Sequence, residues 1–202
     1  MLNYFIIYKP YLVLSQFSKE GDKQTLADFF DLPNDVYPVG RLDYDSEGLL
    51  ILTNDKQLNH RLLHPKFEHE REYYVQVDGN ITSHAIQELM NGIMININGI
   101  NYQTKKCVAT LLVDEPLVPT RTPPIRFRKE IPASWLSIIL TEGKNRQVRK
   151  MTAKVGFPTL RLIRKRIEGV ALGNLQPGEM KELSKENMYA MLFDQQSSKE
   201  DE

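Results

Sequence analysis

Gly40-Arg41-Leu42-Asp43-Tyr44-Asp45-Ser46-Glu47-Gly48-Leu49-Leu50-Ile51-Leu52-Thr53 changes character halfway, polar and acidic through Glu47 and apolar from Leu49 to Leu52. A run that short, bounded by Gly48 and Asp55, reads as a compact buried strand over 48–53. The residues before it, 41–47, read as a loop. Upstream, Val36 to Gly40 is a short strand interrupted by Pro38. Downstream, Asp55 caps a helix to about Leu63, and Pro65 stops it.

The same punctuation organises the rest of the chain. Residues 4–8 form an apolar, aromatic first strand ended by Pro10, and 24–30 is expected to be a short helix with Leu26, Phe29 and Phe30 inward. Glu72 to Val77 alternates as a strand, and Thr82 or Ser83 caps a helix that Asn91-Gly92 ends. Strands are expected near 93–97, 100–104 and 108–113, and again over 135–140, 159–167 and 179–183. A helix is expected over 145–155, capped by Gly156, and another from Ser184. Helices and strands mix without a regular βαβ rhythm, which argues for an α+β fold with a largely antiparallel, mixed sheet flanked by helices.

Composition sets the outer limits. With 202 residues, 41% hydrophobic and 26% charged, the chain has the make-up of an ordinary globular protein. Its one cysteine, Cys107, rules out an intrachain disulfide and a Cys-rich metal site, and fits a reducing, cytoplasmic setting. No apolar run reaches the roughly 18 residues of a membrane span, so no membrane partner is expected. The N-terminus lacks the basic leader of a signal peptide.

The formal charge is zero, but it is unevenly spread. Residues 121–166 hold 13 Lys and Arg against two acids, a net +11. Such a segment on a neutral chain is an electrostatic footprint for phosphate. Part of it is a long loop: 115–132 carries Pro116, Pro119, Pro123, Pro124 and Pro132 together with Arg121, Arg126, Arg128 and Lys129.

Familiar chemistries fail one by one. Asp43, Asp45, Glu47 and Gly48 resemble the start of an EF-hand loop, but the twelfth position is Asn54 and no helix can precede it through Pro38. His60 and His64 stand four apart, yet Arg61 follows the first where a zinc protease needs Glu. There is no Gly-x-Ser-x-Gly, phosphate-binding loop or dinucleotide fingerprint. What remains is a loop carboxylate, Asp43, an aromatic strand opened by Arg71-Glu72-Tyr73, and a basic helix opened by Glu142-Gly143-Lys144-Asn145-Arg146-Gln147-Val148-Arg149. A desolvated carboxylate needs a cation to stay ionised, and an aromatic ring suits stacking on an extruded base.

Gly40-Arg41-Leu42-Asp43 followed by Gly48-Leu49-Leu50 resembles the catalytic motif of the RsuA-type pseudouridine synthases. Glu142 to Met151 is similar to a later motif of that family. The resemblance runs from Tyr8-Lys9-Pro10 to Pro177-Gly178-Glu179. Pro123-Pro124-Ile125-Arg126, Ile131 to Leu136 and Gly156 to Arg164 look like the branch that modifies large-subunit rRNA, the E type. Arg71, Lys144 and Lys150 depart from the commoner Lys, Arg and Arg, with charge retained.

This resemblance implies a pseudouridine synthase fold with two lobes around a central RNA-binding cleft. It implies one catalytic domain over 1–194, no preceding S4 domain, and a tail at 195–202 expected to be disordered. It implies isomerisation of a flipped-out uridine of 23S rRNA without cofactor or metal. The expected partner is 23S rRNA or a large-subunit assembly intermediate, and a monomer is expected. Asp43 is the implied catalytic carboxylate, Arg149 its partner, and Tyr73 the ring that stacks on the base. Whether Asp43 attacks sugar or base, or removes the 2′ hydrogen to give a glycal, stays open. Arg41, Arg126, Arg128, Lys144, Arg146, Lys150, Arg161, Arg164, Lys165 and Arg166 are the implied RNA contacts. Two rivals fit parts of the sequence. A non-enzymatic RNA-binding protein leaves Asp43 and Arg149 without a role, and a two-carboxylate glycoside hydrolase leaves the basic segment without one.

Overall fold

A computed structural model describes residues 1–125 and 132–194. In chain order the strands and helices are β1 (Tyr4–Lys9), β2 (Val13–Leu14), β3 (Gln24–Thr25), β4 (Tyr37–Pro38), β5 (Glu47–Thr53), α1 (Lys56–Leu63), β6 (Arg71–Asp78), α2 (Ser83–Asn91), β7 (Met94–Ile97), β8 (Ile100–Gln103), β9 (Val108–Leu112), β10 (Ala133–Leu140), α3 (Gln147–Lys154), β11 (Thr159–Ile167), β12 (Val170–Ala171), β13 (Met180–Glu182) and α4 (Lys185–Phe193). The α+β expectation holds, with strand pairing mostly antiparallel. The expected disorder at 195–202 lies outside the described residues. The chain divides into two compact units, Met1–His69 with the residues from Arg164 onward, and Glu70–Ile163.

In the first unit the order is β13–β1–β5–β11, with β4 on β5 and β12 on β11. β1 and β5 are buried along their whole length, as apolar strands covered on both faces must be. One face carries Phe5, Ile7, Leu50 and Leu52 into a cluster with Val13, Leu26, Phe30 and Val36. The other meets the helices through a buried carboxylate. Asp55 caps α1 by accepting from the Gln57 and Leu58 amides. It also accepts from the hydroxyls of Tyr4 at 2.7 Å and Tyr189 of α4 at 2.8 Å.

The helix expected over 24–30 is not there. Gln24 and Thr25 pair instead with Val13 and Leu14, and only Leu26–Asp28 closes a single 3-10 turn. Pairing claims the extended backbone of Thr25, and Asp28 accepts from the Thr25 amide at 2.7 Å, so the helical stretch has no room to propagate.

In the second unit β6 lies between β11 and β10, with β9 beyond β10. On β6, Tyr73, Val75 and Val77 are buried while their neighbours are half-buried, the period-2 pattern read from the sequence. Thr82 caps α2 through the Ala85 amide, as expected. α3 starts at Gln147 rather than 145, because Arg146 adopts left-handed φ +52° and the helix cannot include it.

Candidate active site

The first unit holds the acidic loop. Leu42 is buried and pins it: the Ser15 hydroxyl accepts from the Leu42 amide at 3.0 Å and donates to its carbonyl at 2.7 Å. The Leu12 amide donates to the Tyr44 carbonyl, and the Ser46 amide donates to the Asp43 carbonyl at 3.0 Å. Asp43 therefore opens a closed four-residue turn and is half-buried between Leu42 and the buried Ser46 and Glu47. Asp and Asn suit that position because their short side chains satisfy local amides.

Gly48 ends the loop by letting two backbones touch. Its φ is +106°, and a Cβ there would sit 2.4 Å from the Arg164 carbonyl oxygen and 2.7 Å from its nitrogen. The Arg164 side chain turns inward, only 4% exposed, and its Nε donates to the Leu49 carbonyl at 2.8 Å. In the sequence it reads as a phosphate contact on a strand of alternating bases. The structure places it against the end of the acidic loop, where it braces the Gly48-Leu49 backbone. Lys165 and Arg166 follow half-buried, and Arg166 donates to the Glu168 carbonyl at 3.1 Å. Arg41 is exposed beside Leu42.

Lys9 belongs to this site and was quoted in the sequence only as part of a motif. It is fully buried at the end of β1, donating to the Pro10 and Val13 carbonyls at 2.8 and 2.7 Å. Burial pushes its pKa down to about 7, against the opposing pull of Glu47, Asp45 and Asp43, while Arg164 lowers it further. The signal in the sequence was a lysine closing an otherwise apolar strand.

A base whose folded pKa lies below its unfolded value holds fewer protons when folded. Its contribution to stability is thus least favourable below about pH 7 and improves as pH rises toward 10.5. The melting temperature of wild type should gain on that of Lys9→Met between pH 7 and 9. The gain corresponds to up to about 1 kcal/mol per pH unit. A difference that stays constant across that range would show that Lys9 keeps its proton.

The second unit holds the other implied residues. Tyr73 is 9% exposed on β6, opposite Ile138 of β10. α3 has no side-chain N-cap; its entry is held by a clasp instead. Gln147 accepts from the Lys144 amide at 3.0 Å and donates to Glu142 at 2.6 Å. The same buried Glu142 carboxylate accepts from the Lys105 amide at 2.9 Å and from the Tyr102 hydroxyl, whose pKa that bond, then burial, pushes up to about 12.

With Val148, Met151 and Thr152 buried, the opposite side of α3 keeps its bases. Arg146 is exposed, and Arg149 and Lys150 are half-buried. Arg149 donates from Nη1 to the Thr159 carbonyl at 3.4 Å. Lys144 lies over the Tyr102 ring at 4.8 Å. Arg161 is 6% exposed and its Nη2 donates to the Pro119 carbonyl at 2.7 Å, so it ties the proline-rich loop to the sheet rather than standing at the surface. Arg126 and Arg128 lie outside the described residues.

Among the described residues no helix is long and apolar enough to cross a membrane, and no three His, Cys, Asp or Glu side chains gather as a metal site would require. One unit thus carries a carboxylate on a closed turn with a buried lysine, and the other a basic helix and a buried tyrosine.

The family model described as RNA pseudouridylate synthase matches residues 3–154. The chain is 46% identical over 178 residues to the ribosomal large subunit pseudouridine synthase E of Vibrio parahaemolyticus, covering 88% of this chain and 72% of that protein. It is also 46% identical over 179 residues to the protein of the same name from Xanthomonas campestris, covering 86% and 91%. A solved pseudouridylate synthase aligns over 95% of this chain and 74% of its own, with TM-score 0.77 and 26% identity.

Proposed function

This chain belongs to the RNA pseudouridylate synthase family, and we propose that it isomerises one uridine of 23S rRNA to pseudouridine. The observation that carries the reading is the 46% identity, over most of both chains, to proteins named for that activity on the large ribosomal subunit. The same reading has it working as a monomer in the bacterial cytoplasm, on free rRNA or an assembly intermediate.

The reaction is an isomerisation and balances within the substrate. The N1–C1′ bond breaks, the uracil turns, and the C5–C1′ bond forms. C5 loses a proton and N1 gains one. The turn at 43–46 fixes the backbone from which the Asp43 carboxylate projects, as a group that must act on a single atom requires. Arg149 is assigned the role of cationic partner to the reacting carboxylate, and Tyr73 that of the ring that stacks on the detached base. Arg41, Lys144, Arg146 and Lys150, with Lys165 and Arg166, take phosphates.

Purified protein incubated with unmodified 23S rRNA transcript should form pseudouridine at one site, read by chemical mapping; no pseudouridine would refute the proposal. Arg149→Met should lower kcat more than RNA affinity, because its role is electrostatic at the reacting carboxylate. Equal loss of both would reassign Arg149 to phosphate binding.

A further inference from the structure

The second unit contains a cavity of about 280 Å³ between the sheet and the loop at 115–125. That is near the lower end for small-molecule sites. Its floor is Gln76 of β6 and Trp135 of β10, which stand directly opposite each other across the strand pair. Trp135 is 6% exposed. Its indole Nε1 and the Gln76 Oε1 are both buried with no hydrogen-bond partner among the described residues. Buried donors and acceptors are satisfied in the great majority of cases, so two orphans side by side facing one cavity mark a place where a ligand completes them.

The wall is built, not incidental. Arg161 holds the Pro119 carbonyl at 2.7 Å, and Arg121 donates to the carbonyls of Pro123 at 2.9 Å and Leu160 at 3.4 Å. Both arginines line the cavity, as does Glu115.

The chemistry selects the occupant. A phosphate would suit the arginines but not the Gln76 oxygen or the Glu115 carboxylate. An apolar group would leave both orphans unmet. A flat ring with donor and acceptor on one edge, set among an indole and guanidinium planes, meets all of them, and unstacked nucleobases are bound in this way. Side chains alternate along a strand, so Gln76 and Tyr73 point to opposite faces of β6. The base in this cavity is therefore not the one on which Tyr73 stacks. We propose that the Gln76–Trp135 cavity binds a second, non-target nucleobase of the substrate RNA and so helps choose the site of modification. This rests on the RNA substrate proposed above.

The test uses a synthetic stem–loop RNA containing the target uridine and variants in which each flanking nucleotide in turn is abasic. kcat/KM is measured for wild type, Trp135→Phe and Gln76→Met, each checked for folding by thermal unfolding. Wild type should lose about 10–100-fold at one non-target position, the discrimination typical of a hydrogen-bonded base. The variants should lose a similar factor on the intact RNA and little more on that abasic RNA, the signature of two changes that remove one interaction. Gln76→Met preserves side-chain length, so it tests the cavity even where Trp135→Phe unfolds the protein. Equal losses at every position in wild type and variants would overturn the proposal and identify the cavity as a water site. Turnover of the intact RNA by wild type tests the enzymatic reading separately; its absence would overturn both.

Discussion

Asp43→Asn should lower pseudouridine formation on 23S rRNA by at least about a thousandfold, while the melting temperature stays within a few degrees of wild type. The substitution keeps size and shape. Asn is also as suited as Asp to open a turn, and the bond that closes this one runs between backbone groups, from the Ser46 amide to the Asp43 carbonyl. Leu42 remains pinned by Ser15 in either case. What disappears is the anionic oxygen, which an amide cannot replace as nucleophile or base. Losses of this size accompany removal of a group that takes part in bond making. RNA affinity should change little, since Asp43 contributes no positive charge. Turnover within tenfold of wild type would remove Asp43 from the chemistry.

Gly48→Ala should cost about 2–5 kcal/mol of stability, from the positive φ and the crowding together. At this chain length that lowers the melting temperature by about 5–20 °C. The added methyl would lie 2.4 Å from the Arg164 carbonyl oxygen, and neither backbone can yield without disturbing a strand. Because Arg164 also bonds the Leu49 carbonyl, the strain falls directly behind the Asp43 turn, so kcat should fall along with stability. Gly143→Ala is the control for stability: nothing lies within 4 Å of a Cβ there, and its melting temperature should match wild type. A Gly48→Ala protein as stable as wild type would mean that β5 and β11 are not in this contact.

The elements that carry both a cap and a clear period were legible. Asp55 before α1, Thr82 before α2 and Ser184 before α4 each cap the helix that the sequence suggests. The alternation of β6 was legible because one face is buried. What was not legible depended on partners distant in the chain. Residues 24–25 look helical locally but are claimed by pairing with β2. The Glu142–Gln147 clasp replaces the usual cap residue with a contact that no cap rule anticipates.

Counting charges marks the bases of 161–166 as phosphate contacts, but charge count does not say which guanidinium groups are covered. Arg161 is covered by the Pro119 loop and Arg164 by the Gly48-Leu49 backbone, and both hold structure. Within the first unit, Asp43 is singled out in the sequence by its motif. Lys9, which faces the same acidic loop from β1, was hidden because a lysine next to a proline ordinarily marks a strand end at the surface.

The most direct test of the central claim is a map of pseudouridines in ribosomal RNA from cells with and without this gene. Loss of one pseudouridine in 23S rRNA, restored by the wild-type gene and not by Asp43→Asn, is the predicted result. An unchanged 23S rRNA map would contradict it.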